Sequence, residues 1–340
     1  MPCLFFHTLG NIAEMLLTQK DATMKFAFAH GTFKNLNVQW KCFERFCAEV
    51  EGISFPVDVT SLLLYMQYLS NKMRSPQTVS NYVNGLRVLH ALCNFDTQIF
   101  YVLEVKLLAR AIKRSKLHRV KQAEPIGVSI LEKISKCVDF TNPQQSTMWC
   151  AVLLMFFCML RSSNLVPKSS STFDPDKQLC KSDILVGLDV MVVRIRWSKV
   201  IQFAQREFYI PLLPIQGSLL CPVRAVTELQ KVSRKSKSAA LFVLPSGKSK
   251  FAHLTYGKLS SQLKKWIKQI GLDSKKFSLH SLRRGSATLA FASHVPGEFI
   301  KAQGDWSSDA YLQYLNISVL QRCQVAETIR SSVVNEVANE

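Results

Sequence analysis

Apolar residues recur along the first third of the chain at intervals of three and four. From Thr32 onward, Leu36, Trp40, Phe43 and Cys47 mark one face of a helix. Asp58 is placed to cap a second helix, whose inward face is Leu62, Tyr65, Met66 and Leu69. Ser75-Pro76 reads as a helix start, a capping hydroxyl followed by proline at the first helical position. The helix it opens buries Val79, Tyr82, Val83, Leu86, Leu89 and Cys93. A fourth helix is expected over 99–115, with Val105, Leu108 and Ile112 inward. The pattern predicts a loose lead-in over 1–31 and an all-α domain over 32–115.

Lys113, Arg114, Lys116, Arg119 and Lys121 then crowd together among few apolar residues, and Pro125 closes the stretch. A domain boundary is placed there, with 116–126 as a basic linker. A second domain over 127–317 opens with a helix at 128–138 and a buried one at 145–161. The period then changes to two. Val193, Ile195 and Trp197 alternate with Arg194 and Arg196, and Phe208, Ile210 and Leu212 alternate likewise. With 181–187 these form a small three-stranded antiparallel sheet, and 198–206 is the loop joining its second and third strands. Helices resume over 223–232, 256–270, 280–294, 296–303 and 308–315. A tail over 318–340 carries a last amphipathic helix at 318–337, opened by the capping pair Ser318 and Gln321. Its apolar face is equally suited to packing on its own protomer or on a neighbour.

Composition removes several function classes. With 340 residues, 48% of them hydrophobic, each domain has material for a real core, so a disordered chain is excluded. The longest apolar run is Met148 to Leu160, shorter than the roughly 20 residues a membrane span needs. The first seventeen residues hold one Glu, no Lys or Arg and no small-residue cleavage site, which makes a poor signal peptide. The ten cysteines are scattered without a C-x-x-C pair, several inside apolar helical patterns, so neither a disulfide framework nor a zinc site is expected. The net charge of +19 points to a polyanionic partner, and nucleic acid is the commonest. The polar face of the third helix (Ser80, Asn81, Asn84, Arg87) and the basic face of the fourth (Lys106, Arg110, Lys113) are the candidates to meet its phosphates. Gly247-Lys248-Ser249 echoes a phosphate-binding loop, but Phe242 stands where its first glycine belongs.

Five places in the second domain form an ordered set: Arg161, Lys199, His280 with Arg283, Trp306, and Tyr314. His280 and Arg283 are three residues apart, on one face of a helix. Arg161 follows directly on thirteen apolar residues, an odd place for a charge without a partner. Together they suit phosphoryl transfer without ATP, metal or other cofactor. Two guanidiniums grip the non-bridging oxygens of a phosphodiester, and an imidazole adds a third donor. A phenol serves as nucleophile and an ammonium protonates the departing alcohol. No carboxylate cluster of the kind a two-metal nuclease needs is present.

On these residues the chain resembles the tyrosine recombinase (phage integrase) family, over about 32–320. The matching text is Leu160-Arg161-Ser162-Ser163-Asn164-Leu165, Trp197-Ser198-Lys199, His280-Ser281-Leu282-Arg283-Arg284-Gly285, and Gly304-Asp305-Trp306 followed by Tyr314. Ser75 to Leu89 resembles the family's core-binding domain, and the flavour is that of the Crypton and DIRS-like recombinases of eukaryotic mobile elements. The resemblance implies an N-terminal all-α core-binding (SAM-like) domain and a C-terminal mixed α+β catalytic domain that clamp double-stranded DNA. It implies strand exchange through a 3′-phosphotyrosine, as a homotetramer on paired sites. The setting would be the nucleus for a eukaryotic element, otherwise the cytoplasm or nucleoid. Arg161 and Arg283 become the phosphate-binding arginines, Lys199 the general acid, His280 the acid/base partner, Trp306 a second donor and Tyr314 the nucleophile; Arg284 joins the DNA-binding set. Two departures stand out. Asn164 occupies a position where many relatives carry an acid, and the Trp306–Tyr314 spacing is one shorter than in many bacterial members, which leaves Tyr311 as a weaker rival nucleophile. A DNA-binding protein that has lost the chemistry and a type IB topoisomerase are the alternatives.

Overall fold

The computed structural model describes residues 30–116, 122–187, 190–198, 206–246 and 250–314, together with Ile201 and isolated positions in 14–28 and 323–334. Its contacts divide the chain into two compact units, Met1–Lys121 and Gln122–Glu340. Among the described residues no helix is long and apolar enough to cross a membrane.

The first unit is helical: α1 (His30–Glu49), α2 (Val59–Lys72), α3 (Pro76–Leu92) and α4 (Leu103–Ser115). Phe43, Phe46, Leu62, Tyr65, Met66, Leu69, Val79, Leu86, Val105 and Ile112 make one core, so each amphipathic stripe closes on the others. Asp58 caps α2, accepting the Ser61 N–H at 2.7 Å. Pro76 opens α3, but the Ser75 hydroxyl makes no capping bond. The expected start of the fourth helix at 99 is replaced by a 3-10 turn, Gln98–Tyr101. Val102, extended at ψ 158°, breaks the chain before α4. Lys116 turns back to the carbonyls of Ser70 (2.5 Å) and Met73 (2.8 Å), tying the end of α4 to the end of α2.

The second unit is built around α6 (Pro143–Phe157), preceded by α5 (Val128–Ser135) and followed by the single turn α7 (Ser162–Leu165). α6 is buried on every side from Thr147 to Phe156, which explains its unbroken apolar run. It ends four residues earlier than the pattern suggests. Met159, in the left-handed region at φ 48°, turns the chain there, so Arg161 is the N-cap of α7 rather than the end of the long helix. The antiparallel sheet has the order β1 (Ile184–Val186), β2 (Met191–Ile195), β3 (Phe208–Leu212), with Val193 paired to Ile184 and Ile210. Its first strand is shorter than 181–187. Lys181–Asp183 form a 3-10 turn, because the buried Asp183 carboxylate takes the Cys180 N–H at 2.8 Å and the guanidinium of Arg196 at 2.7 Å. Trp197 lies beyond β2.

After α8 (Pro222–Ser233) comes a hairpin absent from the sequence reading, β4 (Val243–Pro245) paired with β5 (Phe251–His253). Then follow α9 (Tyr256–Gln269), α10 (His280–Ala292) and α11 (Gly297–Gln303). The helix expected over 308–315 is a 3-10 segment, Asp309–Tyr314. The tail helix expected over 318–337 lies outside the described residues apart from isolated helical positions.

Candidate active site

α10 carries the first pair of site residues. His280 stands at its first position, and Arg283 on the next turn points into the protein, only 2% exposed. A buried guanidinium needs acceptors. Arg283 finds the carbonyl of Met159 and, at 2.5 Å, that of Gly304. Its Cζ lies over the Trp306 ring, 3.8 Å from the centroid, a cation–π contact. One side chain thus joins the turn before Arg161 to the turn before Trp306. The indole in turn folds over Gly304, where an added Cβ would crowd three ring atoms closer than any real Cβ contact.

Arg161 is set by α7. Its backbone N–H donates to the Asn164 side-chain oxygen at 3.2 Å, and its carbonyl accepts the Asn164 N–H at 2.9 Å. The Asn164 amide nitrogen donates to the Trp197 carbonyl at 2.6 Å. The two partners of this buried side chain leave no ambiguity in its orientation, since a backbone N–H only donates and a carbonyl only accepts. A carboxylate could make the first bond and not the second. Asn164 therefore orients the Arg161 turn through its side-chain oxygen, as an amide at this position can, and also couples that turn to the end of β2.

His280 is open to solvent on one side, yet protein surrounds enough of the ring to matter. Desolvation, then the positive charges of Arg283, Arg161 and Arg284, hold its pKa down to about 4. A pKa that low leaves the imidazole neutral at pH 7. That three arginines act on it places Arg161 and Arg283 in its electrostatic neighbourhood.

The structure gathers Arg161, His280, Arg283 and Trp306 in one region. Lys199 lies outside the described residues, between Ser198 and Ile201. Tyr314 closes the Asp309–Tyr314 turn, but its side chain lies outside the described residues as well. Tyr311 is buried with Met159, Ala287, Ile300 and Trp306, and its hydroxyl sits 2.6 Å from where a Cβ on Gly297 would be. Packing accounts for that side chain.

Of the residues expected on DNA, Ser80, Asn81 and Asn84 are exposed on α3, and Lys106, Arg110 and Lys113 on α4. Arg87 is held by the Asn84 side chain at 2.8 Å and the Tyr101 hydroxyl at 2.9 Å. Ser80, Asn84, Arg87 and Lys106 border a cavity of 220 Å³ between the two helices. Arg284 donates to the Ala123 carbonyl, and the next residue, Gly285, allows the Ile126 backbone to press on α10. Arg284 thus anchors the segment entering the second unit.

Asp305, quoted in the Gly304-Asp305-Trp306 stretch but given no role there, is a buried carboxylate next to Trp306. It accepts the Ser198 hydroxyl and, at 2.5 Å, an Arg206 N–H. Its only signal was a turn-forming Gly304-Asp305 pair directly before Trp306.

No protein-family model matches the chain, and no curated protein matches it. Solved structures do. XerH site-specific recombinase, bound to palindromic difH substrate in a post-cleavage complex, aligns at a TM-score of 0.59 and 16% identity over 85% of this chain and 77% of that one. The Tn1549 transposon integrase with circular-intermediate DNA aligns at 0.57 and 13%, over 92% of this chain and 98% of that one. Lambda integrase (75–356), as a dimer on a COC′ core site, aligns at 0.52 and 14%, over 89% and 95%. At such identities the likeness speaks of architecture. The chain has the tyrosine-recombinase fold.

Proposed function

We propose that the protein is a site-specific DNA recombinase or integrase that cuts and rejoins strands through a 3′-phosphotyrosyl intermediate. The observation that carries this reading is Arg283. From the first turns of α10 it holds the Met159 carbonyl beside Arg161 and the Gly304 carbonyl beside Trp306, and with Arg161 it acts on His280. Four of the six residues named from sequence are thereby drawn to one place, on a fold shared with recombinases solved on DNA.

In this reading Arg161 and Arg283 bind the non-bridging oxygens of the scissile phosphate, where charge grows as the bond order changes. Neutral His280 accepts the phenolic proton of Tyr314. The phenolate oxygen attacks phosphorus, the bond to the 5′-oxygen breaks, and Lys199 gives that oxygen its proton. The product is a 3′-phosphotyrosyl ester and a free 5′-hydroxyl. Attack by a 5′-hydroxyl of a second duplex reverses each step and releases the tyrosine. A homotetramer on paired sites follows from the same resemblance. Action in the nucleus on behalf of a mobile element rests on the Crypton and DIRS-like flavour of the motifs alone.

In the same reading double-stranded DNA binds through the exposed polar and basic side chains of α3 and α4. Nicked suicide duplexes test the chemistry. Wild-type protein leaves a covalent adduct on a denaturing gel, Tyr311→Phe does so too, and Tyr314→Phe does not. An adduct from Tyr314→Phe removes the proposed nucleophile. Absence of any adduct, with binding intact, leaves a DNA-binding protein without chemistry. Relaxation of supercoiled plasmid without site preference favours the topoisomerase alternative.

A further inference from the structure

We infer that Gln178 is a positioning residue for Arg161, its side chain holding through one peptide unit the turn from which that arginine meets the scissile phosphate. The inference rests on the proposed function and deepens it by naming what sets the first phosphate-binding arginine.

α7 is a single turn, and the last carbonyls of a helix find no partner within it. The first two carbonyls of this turn are closed locally. That of Arg161 accepts the Asn164 N–H at 2.9 Å, and that of Ser162 accepts the Val166 N–H at 2.9 Å. The next two go to a segment further along the chain. The Ser163 carbonyl accepts the Gln178 side-chain N–H at 3.2 Å, and the Asn164 carbonyl accepts the Leu179 N–H at 2.8 Å. The peptide unit between Ser163 and Asn164 thus has its oxygen on Gln178 and its N–H on the Arg161 carbonyl. A peptide unit is planar and stiff, so it passes the position of one partner to the other. The Arg161 N–H is already held by the Asn164 side chain. Both backbone polar groups of Arg161 are therefore fixed, the carbonyl through the peptide that Gln178 grips.

Gln178 is itself held firmly. It is 7% exposed, and a buried carboxamide is costly unless it is hydrogen-bonded. Its side-chain oxygen accepts the Asp174 N–H at 2.8 Å. That partner only donates and the Ser163 carbonyl only accepts, so the amide has one orientation. Its backbone N–H closes a tight turn onto the Asp174 carbonyl at 2.9 Å, and the Asp174 carboxylate takes the Asp176 N–H at 3.0 Å and the Lys177 ammonium. The Gln178 carbonyl accepts from Arg196 at 3.4 Å, and the Arg196 guanidinium is clamped on the buried Asp183. The segment that carries Gln178 is thereby tied to the residue that follows β2.

The test compares nicked duplexes with an ordinary scissile phosphate or a methylphosphonate, in which a methyl group replaces one non-bridging oxygen and removes the resting charge. In both, the phenolate oxygen joins phosphorus and the 5′-oxygen leaves. Gln178→Met keeps the length of the side chain and loses both of its bonds. Gln178→Glu keeps an acceptor for the Asp174 N–H and loses the donor to Ser163. Arg161→Ala is the reference, and should slow cleavage of the phosphate about 10²- to 10³-fold. Both Gln178 variants should slow it about 10- to 100-fold, as expected when a binding group shifts by up to roughly an ångström. On the methylphosphonate, which has less charge to neutralise, all three should come within about threefold of wild type. The ratio of the two rates on one preparation does not depend on how much of it is folded, so a loss of stability does not mimic the effect. If the Gln178 variants are slowed equally on both substrates, or Gln178→Glu cleaves the phosphate as wild type does, the positioning role is wrong while the proposed chemistry stands. If Arg161→Ala is not relieved by the methylphosphonate, Arg161 does not neutralise the phosphate and the inference falls with that role. Wild-type protein that cleaves neither substrate removes the proposed function and the inference together.

Discussion

Replacing Gly304 by alanine is a small change aimed at the centre of the site. The added methyl would lie inside van der Waals distance of Cζ3, Cε3 and Cη2 of Trp306. The indole has little room to retreat, because it is buried against Met159, Ile300 and Tyr311 and lies under the Arg283 guanidinium. Forcing a methyl into such packing costs about 1–3 kcal/mol, and displacing a desolvated cation–π partner costs roughly another 0.5–2 kcal/mol. A total of about 1.5–5 kcal/mol is expected for the second unit, measured by urea unfolding with tryptophan fluorescence. Cleavage of a nicked duplex should also fall, by about 100-fold if the ring and Arg283 move by roughly an ångström. Gly257→Ala is the matched control. Within α9 its Cβ would meet nothing within 4 Å, so a gain of about 0.5–1 kcal/mol from helix propensity is expected. If Gly304→Ala unfolds and cleaves as wild type does, the packing of Trp306 on Gly304 and Arg283 does not organise the site.

Three further outcomes follow from the geometry. His90 is 1% exposed, its Nδ1 donating to the Asp96 carbonyl and its Nε2 accepting the Val57 N–H; burial lowers its pKa, so the unfolded chain takes up a proton first, and the first unit should lose up to about 1.4 kcal/mol per pH unit below about 6.5. Urea midpoints between pH 7.5 and 5 check this, and a stability flat across that range would contradict it. An NMR titration of free protein should show His280 changing charge near pH 4, so the neutral imidazole that the proposed mechanism calls for is lost only below that pH; a midpoint at or above 6.5 would refute its placement among three arginines. Asn164→Asp, which introduces the acid found in many relatives, should destabilise the second unit by about 1–3 kcal/mol at neutral pH. Its oxygen would face the Trp197 carbonyl where the amide now donates at 2.6 Å. Unfolding at pH 7 and pH 4 reads the effect, which should shrink on acidification as the carboxyl gains a proton to donate.

Much of the helical framework is written in single-turn periodicities. The α1 stripe, the Asp58 cap and the α2 face each act within a few residues, so a local pattern suffices to find them. The hairpin β4–β5 escaped because its three-residue strands are too short to show alternation. Arg194 and Arg196 read as the outward face of a strand, whereas both turn onto the buried Asp183, a pairing that only the sheet brings about. The site divides in the same way. His280 and Arg283 share one helix face and were visible as a pair. The left-handed turn at Met159 leaves no trace in residue type, and the one at Asp305 leaves only the faint trace of an aspartate, since glycine stands at neither. The bonds from Arg283 to two distant carbonyls, from Asn164 to Trp197 and from Asp305 to Ser198 join segments far apart in the chain, which no local pattern encodes.

In the proposed reaction the phenol of Tyr314 becomes joined to DNA phosphorus. Protein trapped on a nicked duplex, digested with nuclease and trypsin, yields the peptide 302–322 with a residual nucleotide, and fragmentation locates it. Modification on Tyr314 is the result expected. Modification on Tyr311, on any residue outside that peptide, or on none while the duplex is fully bound would contradict the account.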